Sequence, residues 1–423
     1  MDCVIISIGD ELLTGRTVDT NSTWLCSRLN ILEIRVIENI TVPDEVNRIE
    51  EAFHRAFSIA EIVITTGGLG PTDDDKTRDA IAHYAGVKLE TDVRVLEDIE
   101  AKFAARGMYP PRTSAREALI PEGANTLENT VGVAPGLYLK LDGRRHLIAL
   151  PGVPSELKDI FEKQLTPILK QLPGTPKNRV ETFYTTGIPE SALSQKIFDA
   201  LGNIGTEGLA FYPSNLGVEV RISVSADKTG YDSVTDIIEA VTKPWCFSRE
   251  EKNLAAVVGE SLKKRNEAVT VAESCTGGLL ASRLVDIPGA SSWFLGGVIS
   301  YSNKAKSDVL GVNPEDIELY GAVSPIVAAQ MADGAAKIFG AKYALSTTGI
   351  AGPSGGTEKK PVGLVYYALH TPEKTIVRKN RFIGGREDHR YRTSQAALNL
   401  LYLHLTGKHD NYPWADGSTE SEY

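Results

Sequence analysis

Short apolar runs alternate with longer amphipathic stretches along the first part of the chain. Residues 4–8 and 62–64 are apolar and too short for buried helices, so they read as strands of a parallel sheet. Residues 45–57 carry apolar side chains at helical spacing, 21–29 reads as helical and 35–42 as extended. Further helices are expected around Asp79 and over 93–106, and a hairpin over 136–141 and 146–150 turns at Asp142-Gly143. Such alternation implies a parallel sheet with helices on both faces, whose ligands sit beyond the carboxyl ends of the strands.

Pro173-Gly174-Thr175-Pro176 reads as a domain boundary, and the pattern then changes. Residues 180–185 are extended, 190–201 helical, 217–224 alternate like a half-buried strand and 234–241 suggest another helix, a small α+β domain. From Glu250 the α/β pattern resumes. Helical periodicity over 254–265 leads to a strand at 268–272 and a helix through Val285. A strand then ends near Ser300 before a short helix through Val309, a strand spans 363–369, and the last helix runs from Gly384 to Leu405. The expected division is 1–172, 173–249 and 250–407, with 408–423 an acidic tail without fixed structure or assigned function.

Composition adds exclusions. A chain of 423 residues fits two to four domains at roughly 150 each. With 42% hydrophobic residues it can bury several cores. The net charge of −10 and the lack of a long basic run argue against nucleic acid as a partner. Cys3, Cys26, Cys246 and Cys275 form no metal-type pair and read as reduced thiols. No basic leader precedes the first strand and no apolar run approaches the ~20 residues of a membrane span, so the expected location is the cytoplasm.

The first candidate site is Thr65-Thr66-Gly67-Gly68-Leu69-Gly70-Pro71-Thr72-Asp73-Asp74-Asp75-Lys76-Thr77, between a strand and a helix. Its glycines let backbone N–H groups approach a phosphate at a helix N-terminus. Carboxylates beside a phosphate make sense when a divalent cation bridges them; an Asp-rich cap on an ordinary turn is the alternative. Pro151-Gly152-Val153-Pro154-Ser155-Glu156 ends the hairpin. Its residues either set turn geometry alone or bring Glu156 to the site.

The stretches GDELLTG, TTGGLGPTDDDKT, APG at 134–136 and PGVPSE resemble the N-terminal domain of the CinA family, itself similar to the molybdopterin-binding fold of molybdenum-cofactor biosynthesis proteins. The resemblance implies metal-dependent hydrolysis of ADP-ribose at its pyrophosphate. Glu11, Asp74, Asp75 and Glu156 would then face a divalent ion (Mg2+, Mn2+ or Co2+), with Gly67, Gly68, Gly70 and Thr77 on the substrate. Asp73 falls where the family varies and is left out. The middle segment matches the family's KH-like domain in position. Its Gly202-Asn203-Ile204-Gly205 lacks a basic residue to meet a phosphate, so a spacer or dimer-forming role is expected there.

The third domain carries four chemical stretches. Glu273-Ser274-Cys275-Thr276-Gly277-Gly278 opens a helix and can hold an anion or oxyanion, although Ser and Thr are also common caps. Tyr301-Ser302-Asn303-Lys304-Ala305-Lys306 places a lysine that burial could turn into a base, or that could be solvated. Thr348-Gly349-Ile350-Ala351-Gly352-Pro353 ends another strand, and Arg386 and Arg390 share one face of the last helix.

AESCTGG, SYSNKAK and TGIAGP are similar to the C-terminal domain of the CinA family over 252–406. The resemblance implies hydrolysis of the amide of nicotinamide mononucleotide to nicotinate mononucleotide and ammonia, without a cofactor. Ser274 would be nucleophile or water-orienting group, with Tyr301 and Lys306 as proton-transfer partners. Thr276, Thr348 and the Gly277 and Gly349 backbones would meet oxyanion or substrate, and Arg390 would clamp the phosphate. His389 departs from the apolar residue usual in the family. Cys275 adjoins Ser274, yet no histidine in these motifs is placed to serve a cysteine nucleophile.

The expected architecture is therefore a molybdopterin-binding-like parallel-sheet domain, a KH-like α+β domain and an α/β deamidase domain. The resemblance also implies a homodimer acting on small nucleotides in pyridine-nucleotide salvage. The alternative is a pterin- or nucleotide-binding protein without turnover, linked to competence or DNA damage.

Overall fold

The computed structural model describes residues 1–172, 178–202, 204, 206–225, 231–409, 413 and 419–422. The boundary tetrapeptide 173–176, Asn203 and Gly205 of the Gly-x-x-Gly match, and Asp410 and Asp416 of the tail lie outside them. Two compact units result, Met1–Asn178 and Arg179–Tyr423. Among the described residues no helix is long and apolar enough to cross a membrane.

The first unit is built on β1 (Asp2–Ile8), β2 (Arg35–Val42) and β3 (Ile62–Thr66). A side pair, β4 (Leu89–Thr91) and β5 (Leu119–Pro121), is followed by β6 (Asn125–Leu127), β7 (Gly136–Lys140) and β8 (His146–Leu150). The main sheet has the order β2-β1-β3-β8-β7-β6, parallel from β2 to β8 and closed by the antiparallel β7 and β6. Successive residues of β1 serve opposite layers, as the period of two requires. Val4, Ile6 and Ile8 pack with Phe53, while Cys3 and Ile5 pack with Leu25, Leu29 and Phe161. Helix Val46–Phe57 buries Ile49, Ala52, Phe53 and Ala56, one face at helical spacing. Gly67 follows β3 at φ +104°, and a Cβ there would sit 2.2 Å from the Ile8 carbonyl oxygen, so the loops after β1 and β3 can only meet at a glycine.

The second unit begins with β9 (Asn178–Thr185), β10 (Leu209–Ser214), β11 (Gly217–Ser225) and β12 (Cys246–Ser248), ordered β10-β11-β9-β12. Helices Glu190–Leu201 and Tyr231–Thr242 accompany them. Two of these four strands were not expected. β10 is an edge strand containing Pro213 and burying no residue fully, so it lacks the alternation that marks a strand in sequence.

The last sheet comprises β13 (Val269–Glu273), β14 (Phe294–Ile299), β15 (Tyr343–Gly349), β16 (Leu364–His370), β17 (Thr375–Arg381) and β18 (Thr419–Glu422) in the order β14-β13-β15-β16-β17-β18. Its β14-β13-β15 half is parallel and the rest antiparallel. β18 corrects the expectation of an unstructured tail: this short polar segment gains its ladder from the β17 edge, which its own composition does not announce. One apolar cluster runs from Phe183, Ile197, Val220 and Trp245 of the middle domain to Leu254, Val258, Leu398 and Leu401 of the third.

Candidate functional site

Ser274 stands at the carboxyl end of β13, held by its N–H on Thr347 O at 2.9 Å. β14 is tied to the same point, because Ser300 donates its N–H to Glu273 O at 2.8 Å. The chain then enters helix Asn303–Leu310, whose cap Ser302 accepts from Ala305 N. That turn projects Lys306 inward. Its Nζ lies 2.9 Å from Ser274 Oγ and 2.7 Å from Ser300 O, with only 1% of the residue exposed. It forms no ion pair with a described carboxylate, and burial holds its pKa below the ordinary 10.5.

Cys275 is buried, and desolvation pushes its thiol up to about 12. Ser274 and Lys306 are thus brought together as expected, and the thiol beside them stays protonated at neutral pH.

The other expected residues divide. Tyr301 is exposed, its hydroxyl accepting from Arg386 rather than touching Ser274. Thr348 commits its hydroxyl proton to Ala322 O at 2.8 Å. Thr276 is buried against the Thr347 hydroxyl at 2.6 Å. Gly277 donates its N–H to Ser274 O at 3.2 Å, and Gly349 ends β15 where a Cβ would meet Val365. Arg390 donates to Thr276 O at 3.0 Å, which puts its guanidinium beside the serine turn.

One residue escaped the sequence reading. Glu273, fully buried, accepts the N–H groups of Gly278, Leu280 and Ala281 and so fixes the turn that carries Ser274. Arg386 joins Tyr301 to the Gly352 carbonyl, and His389 meets Ala351 O at 2.8 Å. A carboxylate directly before the serine turn was the available signal for Glu273.

The second constellation lies in the first unit, at the carboxyl ends of β1, β3 and β8. A cavity of about 630 Å³ is lined there by Glu11, Asp44, Thr66 to Gly70, Asp74, Asp75, Glu117 and Glu156, among others. Asn21 laces its wall by donating to Thr66 Oγ1 and Gly152 O. Glu117 is buried, and desolvation with the Glu156 and Asp75 charges outweighs Arg78 to push its carboxyl up to about 7.

The expected metal ligands share this cavity without forming a cation site. Asp75 accepts from Gly70 N, Thr72 N and Thr72 Oγ1, so both its oxygens fasten the glycine loop. Glu156 accepts from Asn129 Nδ2 at 2.7 Å, while Glu11 and Asp74 are exposed. Among the described residues no three carboxylate, histidine or cysteine side chains are arranged to hold a metal ion. Thr77 commits its hydroxyl proton to Gly67 O at 2.8 Å. Asp73 is exposed and paired with Arg116.

The CinA C-terminal domain matches residues 251–405, the probable molybdopterin binding domain 4–171, and the KH domain of damage-inducible protein CinA 181–242. A CinA-like protein of Salinibacter ruber is 40% identical over 403 residues, covering 94% of this chain and 98% of its own. This chain belongs to the CinA family. A protein of Clostridioides difficile named as competence-damage inducible is also 40% identical, over 96% of this chain and 99% of its own. Among solved structures, CinA of Thermoplasma acidophilum, described as of unknown function, is 33% identical over 40% of this chain and 99% of its own, with a TM-score of 0.37. A competence/damage inducible protein of Agrobacterium tumefaciens is 40% identical over 36% of this chain and 93% of its own, at a TM-score of 0.35.

Proposed function

We propose that the third domain hydrolyses the amide of nicotinamide mononucleotide. The observation that carries this reading is the buried Lys306 amine 2.9 Å from Ser274 Oγ, a base and nucleophile already in contact. A neutral Lys306 donates to Ser300 O and turns its lone pair to the serine hydroxyl. Ser274 Oγ bonds to the amide carbon, its proton passes to Nζ, and the carbonyl pair moves onto oxygen. Collapse breaks the C–N bond, and the leaving nitrogen takes the proton from Lys306 to depart as ammonia. Water then attacks the acyl-serine, lending its proton to Lys306, which returns it to Ser274 as nicotinate mononucleotide leaves. A backbone N–H donor to that oxyanion would lower the barrier by roughly 3 kcal/mol. Arg390, with Arg386 beside it, offers the phosphate two guanidinium groups.

Incubation of the full chain with nicotinamide mononucleotide, followed by an ammonia assay, tests this. Release by the wild type and its loss in Ser274→Ala is the expected result; no release from the wild type overturns it.

The first-unit cavity favours a second activity, hydrolysis of ADP-ribose at its pyrophosphate. A volume of about 630 Å³ beyond parallel strands, edged by Gly67, Gly68 and Gly70 among others, suits a nucleotide with two phosphates. In this reading Glu11, Asp74 and Glu156 would hold a divalent ion together with the substrate's pyrophosphate, and the ion would polarise the phosphoryl oxygens. Phosphate-ester products with and without Mg2+, Mn2+ or Co2+ test it, and an unchanged ligand would favour a pterin- or nucleotide-binding role. A homodimer in the cytoplasm completes the proposal, with competence or DNA damage as the alternative setting that the relatives' names suggest.

A further inference from the structure

The last helix, Arg386–Leu405, meets the serine turn with one side of its first turns and the middle domain with another. On the catalytic side Arg386 reaches Tyr301 and Gly352, His389 reaches Ala351, and Arg390 reaches Thr276. On the other side Asn215 donates its amide N–H to Asp388 Oδ1 at 2.7 Å and accepts from Arg392 Nε at 2.9 Å. Both ends of one amide are thus used on two residues of opposite charge. The remaining Asp388 oxygen accepts from Gly385 N at 2.7 Å, closing the cap of the helix. A second link lies further along, where Gln395 donates to Thr186 Oγ1 and accepts from the buried Arg283.

Asn215 is not on a loose loop. It sits at the tip of the β10–β11 hairpin, where Leu216 N bonds Ser214 Oγ at 3.1 Å. Gly217, at φ +137°, packs so closely on β9 that a Cβ would lie 1.9 Å from Thr185 O. The hairpin is therefore a stiff projection that ends on the helix cap. It settles where Asp388, which with Glu387 makes up the acidic first turn beside Arg386 and Arg390, directs its charge: onto Gly385 N and the Asn215 amide.

We propose that the middle domain is a positioning element for the phosphate end of the deamidase site, acting through Asn215. Asn215 holds Asp388 on the cap and so leaves Arg386 and Arg390 to a phosphate monoester. This rests on the deamidase reading above. It assigns the middle domain a task within its own chain, where a spacer or dimer surface was expected.

Steady-state kinetics of the full chain with nicotinamide mononucleotide test the proposal, using Asn215→Ala and Asn215→Asp, with inorganic phosphate as competing inhibitor. Asn215→Ala is expected to raise KM and the phosphate inhibition constant together, on the order of tenfold, with kcat kept within about twofold, because the lost contact acts on binding shared by ground and transition states. Asn215→Asp, which sets a second carboxylate against Asp388, should raise both further. Unchanged KM in both variants, or a fall in kcat at unchanged KM, would overturn the proposal. Should the aspartate variant fail to fold, the alanine variant decides alone. Absence of turnover in the wild type would instead sink the deamidase reading. Calorimetric phosphate binding to wild type and Asn215→Ala would then decide the positioning claim, equal affinities counting against it.

Discussion

Glu273 Oε1 accepts the Ala281 N–H at 2.7 Å, which ties the last residue of a buried strand to the helix that follows the serine turn. With Gly278 and Leu280 on its other oxygen, the carboxylate satisfies three donors in a place water does not reach. Glu273→Gln puts an N–H₂ group against such donors. A loss of about 1–3 kcal/mol of stability is expected, together with reduced kcat, read by thermal unfolding and ammonia release. A variant with wild-type stability and kcat would remove Glu273 from this role.

Lys306 must be neutral to take the serine proton, so kcat/KM is expected to rise with pH and level off below the ordinary lysine value of 10.5, since burial depresses the folded-state pKa. The same depression means that the unfolded chain binds this proton more tightly than the folded one. Its contribution to stability therefore grows with pH between the depressed value and 10.5, and is lowest in acid. Lys306→Arg keeps a charge that cannot be lost, and should cut turnover by roughly 10²–10⁴-fold. A pH-independent rate in the wild type would exclude lysine as the base.

Cys275→Ala should retain most deamidation, and the native thiol, pushed up to about 12, should resist alkylation at pH 8. Ser274→Ala should lose nearly all activity. The reverse pattern would make the thiol the nucleophile.

Asp75 separates two accounts of the first-unit cavity. As a fastener of Gly70 and Thr72, its change to Ala should lower ADP-ribose turnover while leaving divalent-ion affinity, measured by titration calorimetry, within about twofold of wild type. A large fall in ion affinity would restore the ligand role expected from the motif.

Glu117 gives a stability test. Its folded-state pKa is raised from 4.5 to about 7, so the folded chain holds this proton more tightly than the unfolded one. Its contribution to stability falls as pH rises from 4.5 to about 7 and is level above that. Glu117→Gln should therefore gain about 1–3 kcal/mol over wild type at pH 8 and little at pH 4, by denaturant titration.

Much of this architecture was legible because its units are strand, glycine turn and helix. Ile62 to Thr66 and Val269 to Glu273 are wholly buried, so their apolar runs mark them without tertiary context. β10 was hidden because an edge strand with Pro213 needs no alternation, and β18 because its ladder comes from a neighbour. The site residues split for a similar reason. Residue type shows that Asp75, Thr77 and Thr348 can donate or accept, whereas the partner that claims each group is chosen by the packed loops. Lys306 was readable only through its family motif, since its helix also carries the exposed Lys304, paired with Asp308.

The apolar cluster that joins Phe183 and Trp245 to Leu254 and Leu401 decides where this polypeptide can be cut. A fragment starting near Glu250 would lose the members of that cluster from Phe183 to Trp245 and uncover the side chains they pack on, so a fall in its activity would report lost packing rather than missing chemistry. Dissection of the two sites calls for a break ahead of Arg179, between the compact units, or for point variants in the intact chain.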